Sequence, residues 1–360
     1  MVSPDPNFWR GRKTLITGHT GFKGGWLALW LHKLGAQITG IALPASTSPS
    51  LYDTAKVKSI VKETVGDIRN ADFLMDEIGT AEPEIIFHLA AQPLVRASYD
   101  DPLATFETNV MGTLNVLEAA RRTPSVKAIV NVTSDKCYEN HEWHWAYRET
   151  DQLGGRDPYS ASKACAELMT SAYYKSFFER QGVFIATVRS GNVLGGGDWA
   201  PDRLIPDILR AHQNREKLKI RAPLSTRPWQ HVIEPIAGYL SLAERLYVDG
   251  GRYAGPWNFG PAHGSTYSVQ DITEKLIETL GVAMEWEVVS AADAEESVYL
   301  KLDISKSQAE LKWQPTWGID QALEKVAAWH ESWVGGADMQ KFSFKQIEEF
   351  VSSTKETVRP

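Results

Sequence analysis

A chain of 360 residues, 43% of them hydrophobic, can bury a substantial core, either as two domains or as one large domain with an elaborated lobe. Its net charge of -7 argues against a broad nucleic-acid surface, while leaving room for a few cations gathered on a phosphorylated metabolite. The opening MVSPDPNFWRGRK lacks the apolar core of a signal peptide and no apolar run approaches a membrane span, so a soluble cytoplasmic protein is expected. Cys137 and Cys165 offer neither a disulfide framework nor metal-ligand spacing.

In chain order, residues 14–16 form a short β-branched and apolar run, followed by a glycine turn at Gly18, Gly21 and Gly24. A helix then carries Trp26, Leu27, Trp30 and Leu31 at helical spacing, stops near Gly35 and leads into a second strand at 38–43. A β-turn-α-β unit of this length is expected of a dinucleotide site. Glycines without Cβ atoms let a pyrophosphate approach the helix N-terminus, where free N–H groups and the helix dipole favour negative charge. The spacing is G-x-x-G-x-x-G, so the evidence is the whole unit and not the glycines alone. His19 and Lys23 inside the turn are either pyrophosphate partners or exposed polar residues.

The polar loop 46–50 and a weak helical pattern precede a third strand at 60–65, which ends in Gly66-Asp67-Ile68. A fourth strand at 85–89 runs into Ala90-Ala91-Gln92. Leu103, Phe106, Val110, Leu114 and Leu117 mark a long helix over 102–121, and a fifth strand at 126–132 ends in Thr133-Ser134-Asp135-Lys136. Another long helix, 159–179, precedes a sixth strand at 183–188. This alternation predicts an α/β fold, a Rossmann-type doubly wound parallel sheet covered on both faces. Beyond Arg189 the rhythm changes: 190–203 is rich in glycine and turn residues, and 256–260 reads as one more sheet strand. The expected division is a dinucleotide-binding domain over 1–190, rejoined by 228–262. A smaller interleaved α/β substrate lobe takes 191–227 and 263–345, and 346–360 is a polar tail. One helix is expected at 344–350, and Trp286, Trp313 and Trp317 read as core or interface residues.

The ligand of an open parallel sheet binds at the carboxyl ends of its strands. Small or polar residues stand there after five apolar strands: 17–24, 66–68, 89–92, 133–136 and 190–192. Tyr159 and Lys163 begin the helix after Asp157-Pro158 and, four apart, share one of its faces. A nearby cation lowers a tyrosine pKa from about 10 and so suits it to general-base work. An isolated Y-x-x-x-K is otherwise a plain surface pair. Here it follows a dinucleotide unit, with Ser134 at a strand end upstream.

The motifs T-G-x-x-G-F-x-G at 17–24, G-D-I at 66–68, H-L-A-A-Q at 88–92, Asn109 in its helix, and Tyr159 with Lys163 together resemble the extended short-chain dehydrogenases/reductases that act on nucleotide sugars. The resemblance covers nearly the whole chain. It implies NAD on Gly18, His19, Gly21, Phe22, Lys23 and Gly24, with Asp67 at the adenine. Ile68, Leu89, Ala90, Ala91 and Thr133 would line the same cofactor. A hydride passes to or from C4 of a sugar, Tyr159 being the base on the C4 hydroxyl, Lys163 holding the nicotinamide ribose and Ser134 binding near the C4 oxygen. Asp135-Lys136 stands where 4,6-dehydratases carry an acid and a base, usually Asp-Glu. Ser-Asp-Lys-Cys-Tyr and the His-Thr-Gly-Phe-Lys turn are similar to the CDP-glucose 4,6-dehydratases, lyases of deoxysugar (O-antigen type) biosynthesis that recycle NAD. For Lys136 to be the base on C5 it must be neutral in the working enzyme. No acid follows the second strand at 43–47 to bind the adenosine ribose, and no arginine there favours NADP.

For the nucleotide sugar, the resemblance implies Asn192 and Arg227 at the diphosphate. Arg203 and Lys219 would lie near the base, where a charged loop is the plainer reading, and Tyr299 and Lys301 are weaker candidates. A homodimer or dimer of dimers, paired through 102–121 and 159–179, is implied by resemblance alone. A 4,6-dehydratase of another nucleotide hexose, a 4-epimerase, and an NAD(P)-sensing regulator of the same fold are the alternatives. No metal, nucleic acid or membrane partner is expected.

Overall fold

The computed structural model describes residues 3–289 and 299–356. Seven parallel strands form one sheet: β1 (Lys13–Thr17), β2 (Gln37–Ala42), β3 (Lys62–Val65), β4 (Ile85–His88), β5 (Ala128–Val132), β6 (Phe184–Ser190) and β7 (Gly255–Phe259). Their order is β7-β6-β5-β4-β1-β2-β3. The direction of winding reverses between β1 and β4, which pair from Thr14 with Ile85 to Thr17 with His88. A crevice opens at that switch point, outside the carboxyl ends of the strands.

Period-two alternation sends side chains to two cores. Leu15, Ile41, Ile86, Ile129 and Ile185 face one layer, with Leu74 and Ile78 of the helix Ala71–Ala81 and Val116 and Leu117 of Gly112–Arg121. Ile16, Phe87, Val130, Val188 and Trp257 face the other. There α1 (Phe22–Lys33) is buried at every residue from Gly24 to Leu31, because Ile233–Asp249 and a C-terminal helix, Met339–Glu356, close over it. Each fully buried large apolar side chain contributes on the order of 1.5–3 kcal/mol.

The third strand is shorter than the apolar pattern implied, because Val57–Ile60 forms a 3₁₀ turn. Both long helices occur, each with one π-helical turn, Glu107–Met111 and Tyr174–Phe178. The polar C-terminus departs most from expectation. Its helix spans Met339–Glu356 rather than 344–350 and docks through Ser343, Gln346, Ile347, Phe350 and Thr354. Residues 357–360 of the expected tail lie outside the described residues.

A separate apolar cluster binds together the second half: Ile205, Ile208 and Leu209 of α2 (Leu204–Asn214) meet Ile272, Leu276, Leu323 and Val326. Small two-stranded pairings accompany it, Leu218–Ile220 with Trp286–Val288 and Thr226–Arg227 with Tyr267–Ser268. Trp313 and Trp317 are core residues, and Trp286 packs against the second cluster. Among the described residues no helix is long and apolar enough to cross a membrane.

Candidate active site

The glycine turn is built by close approach. Gly18 has φ +82°, and a Cβ there would stand 2.7 Å from the Ala90 nitrogen; one on Gly24 would stand 2.1 Å from the Gly18 carbonyl oxygen. The turn therefore lies directly on the chain leaving β4. Thr17 ties the two together, its Oγ1 accepting the N–H groups of Leu89 and Ala90, each at 3.2 Å, and meeting His88 Nδ1 at 2.7 Å. Burial, and the Lys163 charge, push His88 down to about 3, so the ring is neutral. Gly21 is exposed and caps α1 without a side-chain acceptor, leaving the helix N-terminus bare. Phe22 packs, half-buried, against the core.

Two residues of the turn part company. His19 is buried, its Nε2 3.2 Å from Glu63 Oε2, to which Tyr52 also donates at 2.6 Å. Its ring fills the space above Gly40, where a Cβ would lie 2.5 Å from Nδ1. The alternative of an exposed polar residue is corrected: the side chain belongs to the sheet edge, drawn there by the Glu63 carboxylate. Lys23 instead crosses to the end of β6 and donates to Ser190 Oγ at 2.9 Å, which Tyr239 also reaches at 2.9 Å. Burial, then the charges of Arg203 and Lys163, bring Lys23 down to about 7.

At the end of β3, Asp67 is bound by Arg69 through Nε at 2.9 Å and Nη2 at 2.6 Å, and that hydrogen bonding holds its carboxyl below the usual range. Ile68 is buried against Gly112. Asn109 lies in a π-helical turn, a feature frequent at functional sites. It accepts the Gln92 N–H at 2.8 Å and donates to Ser162 Oγ at 2.9 Å, fixing the chain beyond Ala91 to the tyrosine helix.

Beyond β5 the chain makes a single tight turn, Asp135–Cys137. Ser134 caps it: its Oγ accepts the Lys136 N–H at 3.2 Å and donates to Asp135 Oδ1 at 3.1 Å. Asp135 is buried, and its Oδ2 has no hydrogen-bond partner among the described residues. Lys136 Nζ stands 3.9 Å from Asp135 Oδ1, with its side chain 29% exposed. Tyr159 sits in the first turn of α3 (Pro158–Tyr173), capped by Asp157, which accepts from Ser160 N at 2.9 Å. Burial pushes Tyr159 up to about 12, opposed by its hydrogen bonding with Ser134 and by the Arg203 charge, and reinforced by Asp135. Lys163 Nζ donates to the Val132 carbonyl at 3.3 Å, and burial brings it down to about 8. The cation among the groups acting most strongly on the tyrosine is thus Arg203 rather than its helix neighbour.

Thr133 turns its hydroxyl inward to Glu167 at 2.5 Å, so only its backbone faces the site. Arg189 pairs with the same glutamate at 2.8 Å and is buried. Glu167 escaped the sequence reading, although its position four residues after Lys163 on one helix face was available. Arg203, just before α2, donates to Asp198 Oδ2 at 2.9 Å. Asn192 is half-buried and its carbonyl accepts the Gln230 N–H at 3.2 Å. Arg227 is buried at the strand edge beside Tyr267, and Tyr299 bridges to Thr226, so these two share one rim. Lys219 is not gathered with them: it is exposed and lines a cleft of about 470 Å³ with Arg96, Arg210, Lys217 and Arg221.

A family model described as GDP-mannose 4,6 dehydratase matches residues 15–326. The chain is 48% identical over 355 residues to the CDP-glucose 4,6-dehydratase of Salmonella typhimurium (strain LT2), covering 97% of this chain and 99% of the relative. It is 29% identical to a dTDP-glucose 4,6-dehydratase of Streptomyces griseus, over 69% of this chain and 73% of that one. In fold it is similar to the dTDP-glucose 4,6-dehydratase of Bacillus anthracis solved with NAD, with TM-score 0.73, 23% identity, and 89% and 96% of the two chains covered. The UDP-glucose 4-epimerase of Thermotoga maritima gives 0.77 at 19% identity, over 89% and 99%. Sequence match and sheet topology agree, and the chain belongs to the GDP-mannose 4,6 dehydratase family of the extended short-chain dehydrogenase/reductase fold.

Proposed function

We propose that the protein is an NAD-dependent CDP-glucose 4,6-dehydratase, a lyase forming CDP-4-keto-6-deoxyglucose for deoxysugar (O-antigen type) biosynthesis. The observation that carries this reading is the buried acid of Asp135, with one oxygen unpartnered, beside Lys136 on a turn capped by the serine that also meets Tyr159. An epimerase has no use for that second pair. The nucleotide follows the relative named for CDP-glucose at 48% identity.

The residues present fit a dinucleotide. A side chain on Gly18 or Gly24 would fill the cradle, and the N-terminus of α1 is uncapped. Gly18, Gly21, Phe22 and Gly24 would hold the pyrophosphate, Asp67 and Ile68 the adenine end, and Leu89, Ala90, Ala91 and the Thr133 backbone the rest, with Lys163 at the nicotinamide ribose. The bound cofactor supplies a hydride acceptor for C4 and the hydride later delivered to C6.

On the chain's side, Tyr159 takes the C4 hydroxyl proton while Ser134 hydrogen-bonds the C4 oxygen. The resulting ketone acidifies the C5–H bond. Lys136 removes that proton and Asp135 protonates the C6 hydroxyl as it leaves as water. A proton then returns to C5, and no net oxidation remains. Asn192 and Arg227 would bind the nucleotide diphosphate, a guanidinium suiting that anion by geometry, with Arg203 toward the nucleotide base and Tyr299 on the same rim as Arg227. In this reading residues 1–190 and 228–262 bind cofactor, and 191–227 with 263–345 bind substrate. Leu103, Met111, Leu168 and Phe177 are exposed on the two long helices and would pair across a homodimer or dimer of dimers.

The test is incubation of the protein and NAD with CDP-, dTDP-, GDP- and UDP-hexoses, followed by mass spectrometry. Loss of one water from CDP-glucose alone is expected. Dehydration of another nucleotide hexose would overturn the nucleotide assignment. An altered C4 configuration without loss of mass would make it an epimerase, and inertness with NAD bound would leave a sensing role.

A further inference from the structure

We propose that the buried Glu167–Arg189 pair is a positioning device, gripping the reactive turn at both of its ends so that Asp135 and Lys136 meet the substrate in register. The inference rests on the dehydratase reading above. The pair is bidentate: Arg189 Nε reaches Glu167 Oε1 at 2.9 Å and Nη2 reaches Oε2 at 2.8 Å. Arg189 Nη1 also reaches the Glu149 carbonyl at 3.2 Å, and two further contacts of the pair go to the two flanks of one short stretch. Thr133, immediately before Ser134, donates to Glu167 Oε1 at 2.5 Å. Tyr138, immediately after Cys137, accepts from Arg189 Nη1 at 2.8 Å.

Beyond the pair the network is closed on protein. Thr187 donates to Glu167 Oε2 at 2.6 Å, and Tyr138 passes its own hydrogen to Asn258 Oδ1 in β7 at 2.8 Å. Asn258 Nδ2 is in turn fixed by the carbonyls of Tyr147 and Asp303. Thr133, Cys137, Tyr138, Glu167, Thr187, Arg189 and Asn258 are all buried. A buried ion pair is poor value for stability alone, since desolvation offsets much of its attraction. Directional hydrogen bonds from a planar guanidinium instead fix position. On the inner side of the stretch lies this network; on the other, Asp135 Oδ2 is unpartnered and Lys136 is partly exposed. One peptide is thus anchored by one edge while it offers reactive groups from the other.

The two grips are separable. Ser134, which serves C4 oxidation, adjoins the Thr133 end, whereas Lys136 lies toward the Tyr138 end. Tyr138→Phe removes one hydroxyl and keeps the ring stacked on Tyr147, with centroids 5.1 Å apart. Thr133→Val removes the other contact, and both variants retain the ion pair. Single turnovers of CDP-glucose would be followed by mass spectrometry, separating the 4-keto hexose, two hydrogens lighter, from the dehydrated product. A misplacement of reacting groups by about 1 Å costs on the order of a hundredfold. Tyr138→Phe should therefore slow elimination by about that factor and let the 4-keto hexose accumulate, with C4 oxidation nearly unchanged; Thr133→Val should slow both steps.

Arg189→Lys keeps the charge and loses the fork, and should behave as Tyr138→Phe; full rescue by lysine would reduce the pair to a structural tie. Equal slowing of both steps in Tyr138→Phe, or none, would overturn the proposal. Hydrogen exchange reads the grip without substrate: amides 134–138 should exchange faster in Tyr138→Phe while those of α3 do not change. If the wild-type protein dehydrates no nucleotide hexose, the functional reading fails on its own, and unchanged exchange over 134–138 would still sink the grip.

Discussion

Alanine at Gly18 and at Gly21 separates folding of the turn from its use. Gly18 sits at φ +82°, with a Cβ placed 2.7 Å from the Ala90 nitrogen. The left-handed backbone costs roughly 1–2 kcal/mol and the forced shift of β4's exit about 1–3 kcal/mol. Gly18→Ala should therefore lose about 2–5 kcal/mol, a large share of a typical net stability of about 5–15 kcal/mol. Gly21 has φ -79°, and its Cβ would meet only the Gly18 carbonyl oxygen, at 3.4 Å. Alanine there loses only the capping preference of glycine, roughly 0.5–1 kcal/mol. Yet its methyl stands on the exposed mouth of the cradle. Thermal unfolding without ligand and calorimetric titration with NAD measure the two effects. Gly21→Ala should melt close to wild type and bind NAD about tenfold more weakly or worse, a loss of about 1.4 kcal/mol. Unchanged NAD affinity in Gly21→Ala would refute the assignment of the pyrophosphate to this turn. Normal melting of Gly18→Ala would refute the packing argument.

Lys136→Ala and Asp135→Asn should each slow loss of water by about 10²–10⁴, the span of general acid–base help, with C4 oxidation preserved; mass spectrometry of single turnovers checks this, and normal dehydration by Lys136→Ala excludes it as the base. Glu234 gives a stability prediction: burial raises its carboxyl from the ordinary 4.5 to about 8, against backbone hydrogen bonds from Trp317 and Thr316. The folded state then binds the extra proton, so stability is full below about pH 4.5 and falls as pH rises toward 8, by a few kcal/mol in order of magnitude. Glu234→Gln should flatten that decline in melting temperature, and an identical slope in both proteins would count against it. Leu168 is 60% exposed on α3. Leu168→Glu should lower the molar mass measured by light scattering if this face pairs subunits, and an unaltered mass would move the interface elsewhere.

Local pattern carried the layout. The β1–turn–α1–β2 unit, the strand ends and the two long helices follow from hydrophobic periodicity within a single stretch of chain, which is where sequence is informative. What depends on distant partners was illegible. Nothing near His19 in sequence announces that its side chain is buried against Glu63, from another strand. That the Thr133 hydroxyl turns inward to Glu167, leaving only its backbone toward the site, is equally invisible in sequence. The C-terminal helix reads as tail because Ser343, Gln346 and Thr354 help make up its buried face, and such residues do not score as core. Arg203 offers nothing in sequence to connect it with Tyr159, since its approach depends on how α2 enters the lobe.

Those distant partners also explain why the site suits an anionic substrate. Lys23, Lys163 and Arg203 converge around Asp135 and Tyr159, and the repulsion from Arg203 and Lys163 adds to burial in bringing Lys23 to about 7. A diphosphate entering this cluster is attracted by charges that otherwise oppose one another, so binding is strongest for a ligand that brings negative charge with it. The same electrostatics couple the two proposed catalytic roles. Asp135, as a carboxylate, is among the groups that raise Tyr159. A substitution that removes the Asp135 charge is therefore felt at Tyr159 as well, so the proposed acid of the elimination and base of the oxidation are not independent of one another.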